Sequence, residues 1–138
     1  MKKLFVDTNI VIDLLAKREP FYDEAATLFT LADKQKIHLS VSALTFANTN
    51  YILLQSKKPE EAKLILRKLK LIVKVLSLDE KIVGLSLNDN DFKDYEDAIQ
   101  YFTALENGVD AIITRNLKDF QKAKLPVMTA SQFLKTIK

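Results

Sequence analysis

The stretch from Asp94 to Phe120, DYEDAIQYFTALENGVDAIITRNLKDF, sets the strongest constraint on what this chain can become. It packs a helix, a buried strand and several acids into one short run. Advancing about 100° per residue from Asp94, Asp94, Asp97, Ala98, Tyr101, Ala104 and Leu105 fall on one face, and Glu96, Gln100, Thr103 and Asn107 on the other. Two carboxylates therefore share the apolar face. An ionised carboxylate taken out of water is costly unless it is paired, hydrogen-bonded or bound to a metal. Gly108 is the expected helix stop. Beyond it, Asp110 to Thr114 (DAIIT) predicts a short strand covered on both faces, ending in Arg115, Asn116 and Asp119.

Short continuous apolar runs followed by helical spacing recur along the chain. Lys3 to Asp7 (KLFVD) predicts a strand ending in an acid, and Thr8 or Asn9 can cap a helix from Ile10 to about Ala16. Phe21 to Lys34 has helical spacing, and Ile37 to Val41 predicts a second strand. Ser42 is a good N-cap for a helix to about Gln55, with Leu44, Ala47, Tyr51 and Leu54 as its inner stripe and Asn48 inside that stripe. Pro59 opens a helix to about Leu71 whose Lys63, Arg67, Lys68 and Lys70 form a basic flank, more simply a solvated face than an RNA guide. A third strand over Ile72 to Leu76, a helix over Leu78 to Leu87, a last strand over Pro126 to Met128 and a helix from about Ser131 complete the order.

Strands alternating with helices, and no Asn-Gly hairpin between strands, predict a three-layer α/β domain with a mainly parallel sheet. Ligands of such sheets bind at the carboxyl ends of the strands, near a switch in strand order. Asp7 and the Arg115 to Asp119 turn lie at such ends, and Asn48 and Asp97 lie on helices that can start from the same edge.

At 138 residues, with two Gly and three Pro, the chain is expected to be one domain spanning 1–138. It has no Cys, so disulfide and thiol chemistry are excluded, and its one His, His38, sits inside a predicted strand, where it is more simply structural than catalytic. Asp7, Asn9 and Asp13 interrupt the N-terminal apolar run before it could act as a signal or span a membrane, so a cytoplasmic protein without a membrane partner is expected. Twenty-one Lys and Arg against 18 Asp and Glu leave a formal charge of +3, which permits a polyanionic partner without demanding one. Acids gathered at one sheet edge repel each other unless a cation lies between them, and hard oxygen ligands suit Mg²⁺ or Mn²⁺. Such ions activate water and offset charge on a phosphoryl group, the logic of metal-dependent phosphodiester hydrolysis.

The segments FVDTNIVIDLLAKREPFY, SVSALTFANTNYIL, DYEDAIQYFTALENGVDAIITRNLKDF and PVMTASQFL, in that order, resemble the PIN domain family, in particular its compact bacterial branch of VapC-type toxins. The resemblance covers nearly the whole chain. It implies a PIN-like fold with a five-stranded, mainly parallel sheet flanked by helices, and an Mg²⁺ or Mn²⁺ dependent endoribonuclease acting on RNA. It further implies a homodimer and an antitoxin protein as partners. Carried over by position, Asp7 in DTN is the first metal ligand, Asp97 in YEDA the third and Asp119 in NLKDF the fourth, with Asn116 lining the same turn. Where the family usually has a second acid, Glu, this chain has Asn48, which offers an amide oxygen but no charge.

Plainer roles are open to the same residues. Asp7 can cap the first helix, and Asp94 with Asp97 can form a capping pair. Thr8 and Thr114 can orient water or phosphate or simply satisfy backbone groups, and Arg115 can meet a substrate phosphate or a neighbouring acid. The alternative function is a catalytically weakened PIN-like module that binds RNA or a protein partner, because Asn48 replaces the usual Glu. A phospho-acceptor receiver domain would need an Asp ending the third strand, where this chain has Leu76, Ser77 and Leu78.

Overall fold

A computed structural model describes residues 1–137. Five parallel strands, β1 (Lys3–Val6), β2 (His38–Ser42), β3 (Val73–Leu76), β4 (Ala111–Ile113) and β5 (Val127–Met128), form one sheet in the order β3-β2-β1-β4-β5. Between and after them run α1 (Thr8–Leu15), α2 (Tyr22–Asp33), α3 (Ala43–Leu53), α4 (Pro59–Lys70), α5 (Glu80–Leu87), α6 (Tyr95–Glu106) and α7 (Ala130–Leu134). Among the described residues no helix is long and apolar enough to cross a membrane.

The unbroken apolar runs become strands because each face of the sheet is covered. Leu4 and Val6 of β1, with Ala111 and Ile113 of β4, point into a core completed by α1, α2 and α7. Phe5 and Ile112, one residue out of phase, point to the opposite core, where Ala98, Tyr101 and Ala104 of α6 meet them. Burying a side chain such as Phe5 contributes about 1.5–3 kcal/mol, so β1 and β4 anchor both layers. The strand order reverses between them, and the crevice of this sheet therefore opens at their carboxyl ends.

Several local expectations shift. The residue capping α1 is Asp7 itself, which accepts from the Thr8 backbone N–H at 2.8 Å, rather than Thr8 or Asn9. Gly108 has a φ of 63° and ends α6 as expected. The inner stripe of α3 is Thr45, Thr49 and Leu53, not Leu44, Ala47, Tyr51 and Leu54; Tyr51 is 68% exposed. Thr45 goes inward because its hydroxyl meets Thr8 at the start of α1, while Leu44 and Tyr51 lie at the crevice. On α6, Gln100 and Thr103 are buried rather than outward-facing. That helix packs against the sheet on one side and α5 on another, with Gln100 reaching Thr45 of α3, and a helical wheel assumes a single buried face. Asp79 caps α5 through the Ile82 N–H instead of ending β3 as a receiver domain would require.

Candidate active site

Asp7 leaves β1 at the switch in strand order and is 6% exposed. Its Oδ1 accepts from the Thr8 N–H and from Gln100 Nε2 at 3.0 Å; its Oδ2 accepts from Thr114 Oγ1 at 2.7 Å. Thr114, fully buried just after β4, in turn accepts from the Asn116 N–H at 3.0 Å, so the β4 turn is registered on Asp7. Gln100 Nε2 also reaches Thr8 Oγ1 and Thr45 Oγ1, each at 3.2 Å, and those two hydroxyls lie 2.8 Å apart. Three elements, the start of α1, α3 and α6, are tied at one point.

Above this network opens a crevice of about 390 Å³ lined by Asp7, Thr8, Asn48, Asp94, Asp97, Asn116 and Gln100 among others. Asp94 caps α6 by accepting from the Asp97 N–H at 3.1 Å, and both acids face the crevice. The Asp97 carboxyl is pushed up to about 7, first by burial and then by the charges of Asp94, Asp7, Asp119 and Glu96. It therefore sits half-protonated near neutrality, in a field that favours the arrival of a cation.

A family model described as PIN domain matches residues 3–118. The chain belongs to the PIN domain family. Its sequence is 27% identical over 139 residues to ribonuclease VapC1 of Aquifex aeolicus (strain VF5), covering 96% of this chain and 93% of that protein. Its fold superposes on a chain of a toxin-antitoxin complex from Klebsiella pneumoniae with a TM-score of 0.69 and 25% identity, over 92% of this chain and 97% of that one. A chain of VapBC-1 from nontypeable Haemophilus influenzae shares the fold, with a TM-score of 0.68 and 22% identity over 94% of this chain and 98% of that one. The five-stranded parallel sheet flanked by helices is thus a PIN-like fold.

Not every candidate residue of this PIN domain meets at the crevice. Asp7, Thr8, Asn48, Asp94, Asp97 and Asn116 line it, whereas Asp119 lies exposed on the 3-10 helix Leu117–Phe120, outside the lining, and acts on Asp97 through its charge. Arg115 turns away. Its Nε and Nη2 donate to the two oxygens of Asp13 at 2.7 and 3.2 Å, and its guanidinium stacks 4.0 Å from the centre of the Phe21 ring. Of the two partners the sequence left open, Arg115 takes the neighbouring acid, not a ligand in the crevice. Asn48 donates through Nδ2 to Glu96 Oε1 at 2.8 Å.

Gln100, Arg18 and Asp13 are not among the site residues that the sequence predicts. Helical spacing alone places Gln100 on the outer face of α6, and Arg18, the one cationic side chain lining the crevice among the described residues, lies in a turn with no periodicity to mark it. Asp13 carried a signal: a carboxylate inside the apolar run NIVIDLL needs a partner.

Whether these residues suit a divalent ion can be judged from their donors. The crevice offers hard carboxylate oxygens from Asp7, Asp94 and Asp97. Among the described residues no three acid, His or Cys side chains close on one point. An ion here would take one or two carboxylates and complete its shell with water, as Mg²⁺ commonly does. The residues fit such an ion.

Proposed function

We propose that this PIN domain is a metal-dependent endoribonuclease that hydrolyses RNA phosphodiester bonds, and that it is the toxin of a toxin-antitoxin pair. One observation carries the reading: Asp7 and Asp97, from different elements, converge on one crevice with Asp94 at the strand-order switch. Similarity to a protein named ribonuclease VapC1 supports it. Asp7 and Asp97 would hold Mg²⁺ or Mn²⁺, which when bound supplies positive charge to the phosphoryl oxygens and makes water a better nucleophile. Asp97, whose carboxyl burial and neighbouring acids push up to about 7, would hold the ion in its ionised form. Thr8, Thr114 and Gln100 hold the Asp7 carboxylate in place by hydrogen bonds. Arg18 takes a phosphate oxygen of the RNA, while Asn116 closes the β4 side and Asp119 adds charge from outside the crevice. Tyr51 and Leu54, apolar and exposed on the α3 side, are surface that an antitoxin or a second copy would cover.

The test is cleavage of a labelled tRNA pool with Mn²⁺ or EDTA. The unmodified protein is expected to cut with Mn²⁺ alone, and Asp7→Asn to lose about a hundredfold or more of the rate. Equal cleavage by Asp7→Asn sinks the reading. A second reading, a weakened module that holds RNA or a partner without cutting, is favoured by the absence of charge at Asn48; it predicts cleavage only after Asn48→Glu.

A further inference from the structure

We infer that Tyr51 is a stacking platform for an unpaired base of the RNA strand, an inference that deepens the ribonuclease reading and rests on it. The crevice has two unlike sides. Asp94, Glu96 and Asp97 come from the start of α6, and Asp7 joins them from the end of β1. The remaining wall is built by α1 and α3, which pack on each other: Ile12, Leu44, Tyr51 and Ile52 line it, with Arg18 in the turn after α1. Four carboxyl groups against one guanidinium make the crevice acidic. Nucleic-acid sites usually draw their affinity from lysines and arginines that meet phosphates and release counterions. Here that source is nearly closed. A cation at Asp7 and Asp97 serves the scissile phosphate and Arg18 one other, so inside the crevice the rest of the strand has to be held by its bases.

Tyr51 is placed to hold one of them. On the α6 side Phe92 is spent on Tyr101 and Phe120, with ring centres 4.7 and 5.7 Å away. Tyr51 instead lines the crevice at 68% exposure and stacks on no other ring among the described residues. Apolar side chains left open beside a polar cleft mark a surface that a ligand covers. Every base presents a π face, so a tyrosine accepts any of them, and the bases of loops and single strands are free to turn out onto a side chain. A base inside a duplex is already stacked and paired. This wall therefore selects unpaired RNA through its open bases, while the acids and their ion act on the phosphate beside it.

The experiment uses a short single strand spanning a site that the unmodified protein cuts in the tRNA pool with Mn²⁺, and the same strand with one base at a time replaced by an abasic nucleotide. It compares the unmodified protein with Tyr51→Ala and Tyr51→Phe, and light scattering records the mass of each. Tyr51→Ala is expected to raise KM about tenfold with little change in kcat, and Tyr51→Phe, which keeps the ring, to rescue most of that loss. One abasic position should cost the unmodified protein the same factor and cost Tyr51→Ala nothing further. KM should rise with salt on a log–log slope of roughly 1, that of one or two phosphates, whereas a slope of about 3 or more means that phosphates hold the strand and overturns the inference. Equal KM in Tyr51→Ala overturns it too and leaves the nuclease reading standing. An abasic penalty that is the same in both proteins means that the ring meets something other than a base, and a fall of Tyr51→Ala from dimer to monomer with KM unchanged makes the ring a contact between copies; each overturns the inference. No cleavage by the unmodified protein overturns both.

Discussion

Two carboxylates flank the first helix, and both are buried: Asp7 caps its start and Asp13 lies near its end, at 6% and 0% exposure. Their partners differ in kind. Asp13 meets the guanidinium of Arg115 with both oxygens, so its charge is neutralised inside the protein. Asp7 is surrounded by an N–H, an amide and a hydroxyl, all neutral, and no cation of the described residues lies within ion-pair distance. Neutral dipoles steady a carboxylate without cancelling its charge, so one of the pair is spent on the fold and the other is left directed at the crevice. The difference separates an acid that holds structure from an acid available to a ligand, which residue type alone does not.

Substitution can break this contrast from either side. The largest effect is expected from Arg115→Ala, which leaves Asp13 charged, buried and alone: about 3–5 kcal/mol of stability is lost, measured by urea denaturation. A loss no larger than that of an ordinary surface substitution would mean that Asp13 finds water. Asp7→Asn should act in the opposite sense. It keeps most of the local hydrogen bonds and stays within about 1 kcal/mol of the unmodified stability. If Mn²⁺ stabilises the unmodified protein in thermal melts, as the proposed site predicts, that stabilisation should disappear with it; persistence of the shift would place the ion elsewhere.

The smallest effect is a slope. The carboxyl of Asp97 is raised from 3.8 to about 7 by burial and by neighbouring acids. Between those values the folded protein holds a proton that the unfolded chain releases, so this group's contribution is full below the lower value and is lost as pH rises through the upper one. Without divalent cations, melting temperature should therefore carry a component that declines from about pH 4 to about pH 7. Asp97→Asn should remove that component, and Mn²⁺ should oppose it by favouring the ionised form. An unchanged pH profile in Asp97→Asn would assign the slope to other acids.

Much of the architecture could be read from spacing. The runs KLFV and AII are too continuous for a half-exposed strand, and their alternation with helices leaves few arrangements other than a covered parallel sheet. Ser42 as an N-cap, Gly108 as a stop and Asp7 at a strand end are local matters of backbone donors and φ, so they too were legible. Periodicity failed where a helix has more than one neighbour. It sent Gln100 outward, although α3 and the start of α1 supply three acceptors for its amide, and it turned α3 by Tyr51 rather than by Thr45 and Thr49.

The sequence by itself determined the layered α/β fold, the strand ends that carry Asp7 and Thr114, and the need of its buried acids for partners, because these follow from local pattern and from the cost of burying charge. Only the tertiary structure decided which partner each acid has. Arg115 lies 102 residues from Asp13, and Glu96 lies 48 from Asn48. Separations of that kind are closed by the crossing of strands and the packing of helices, and no local rule of spacing encodes whether an arginine turns to a neighbouring carboxylate or to the crevice beside it.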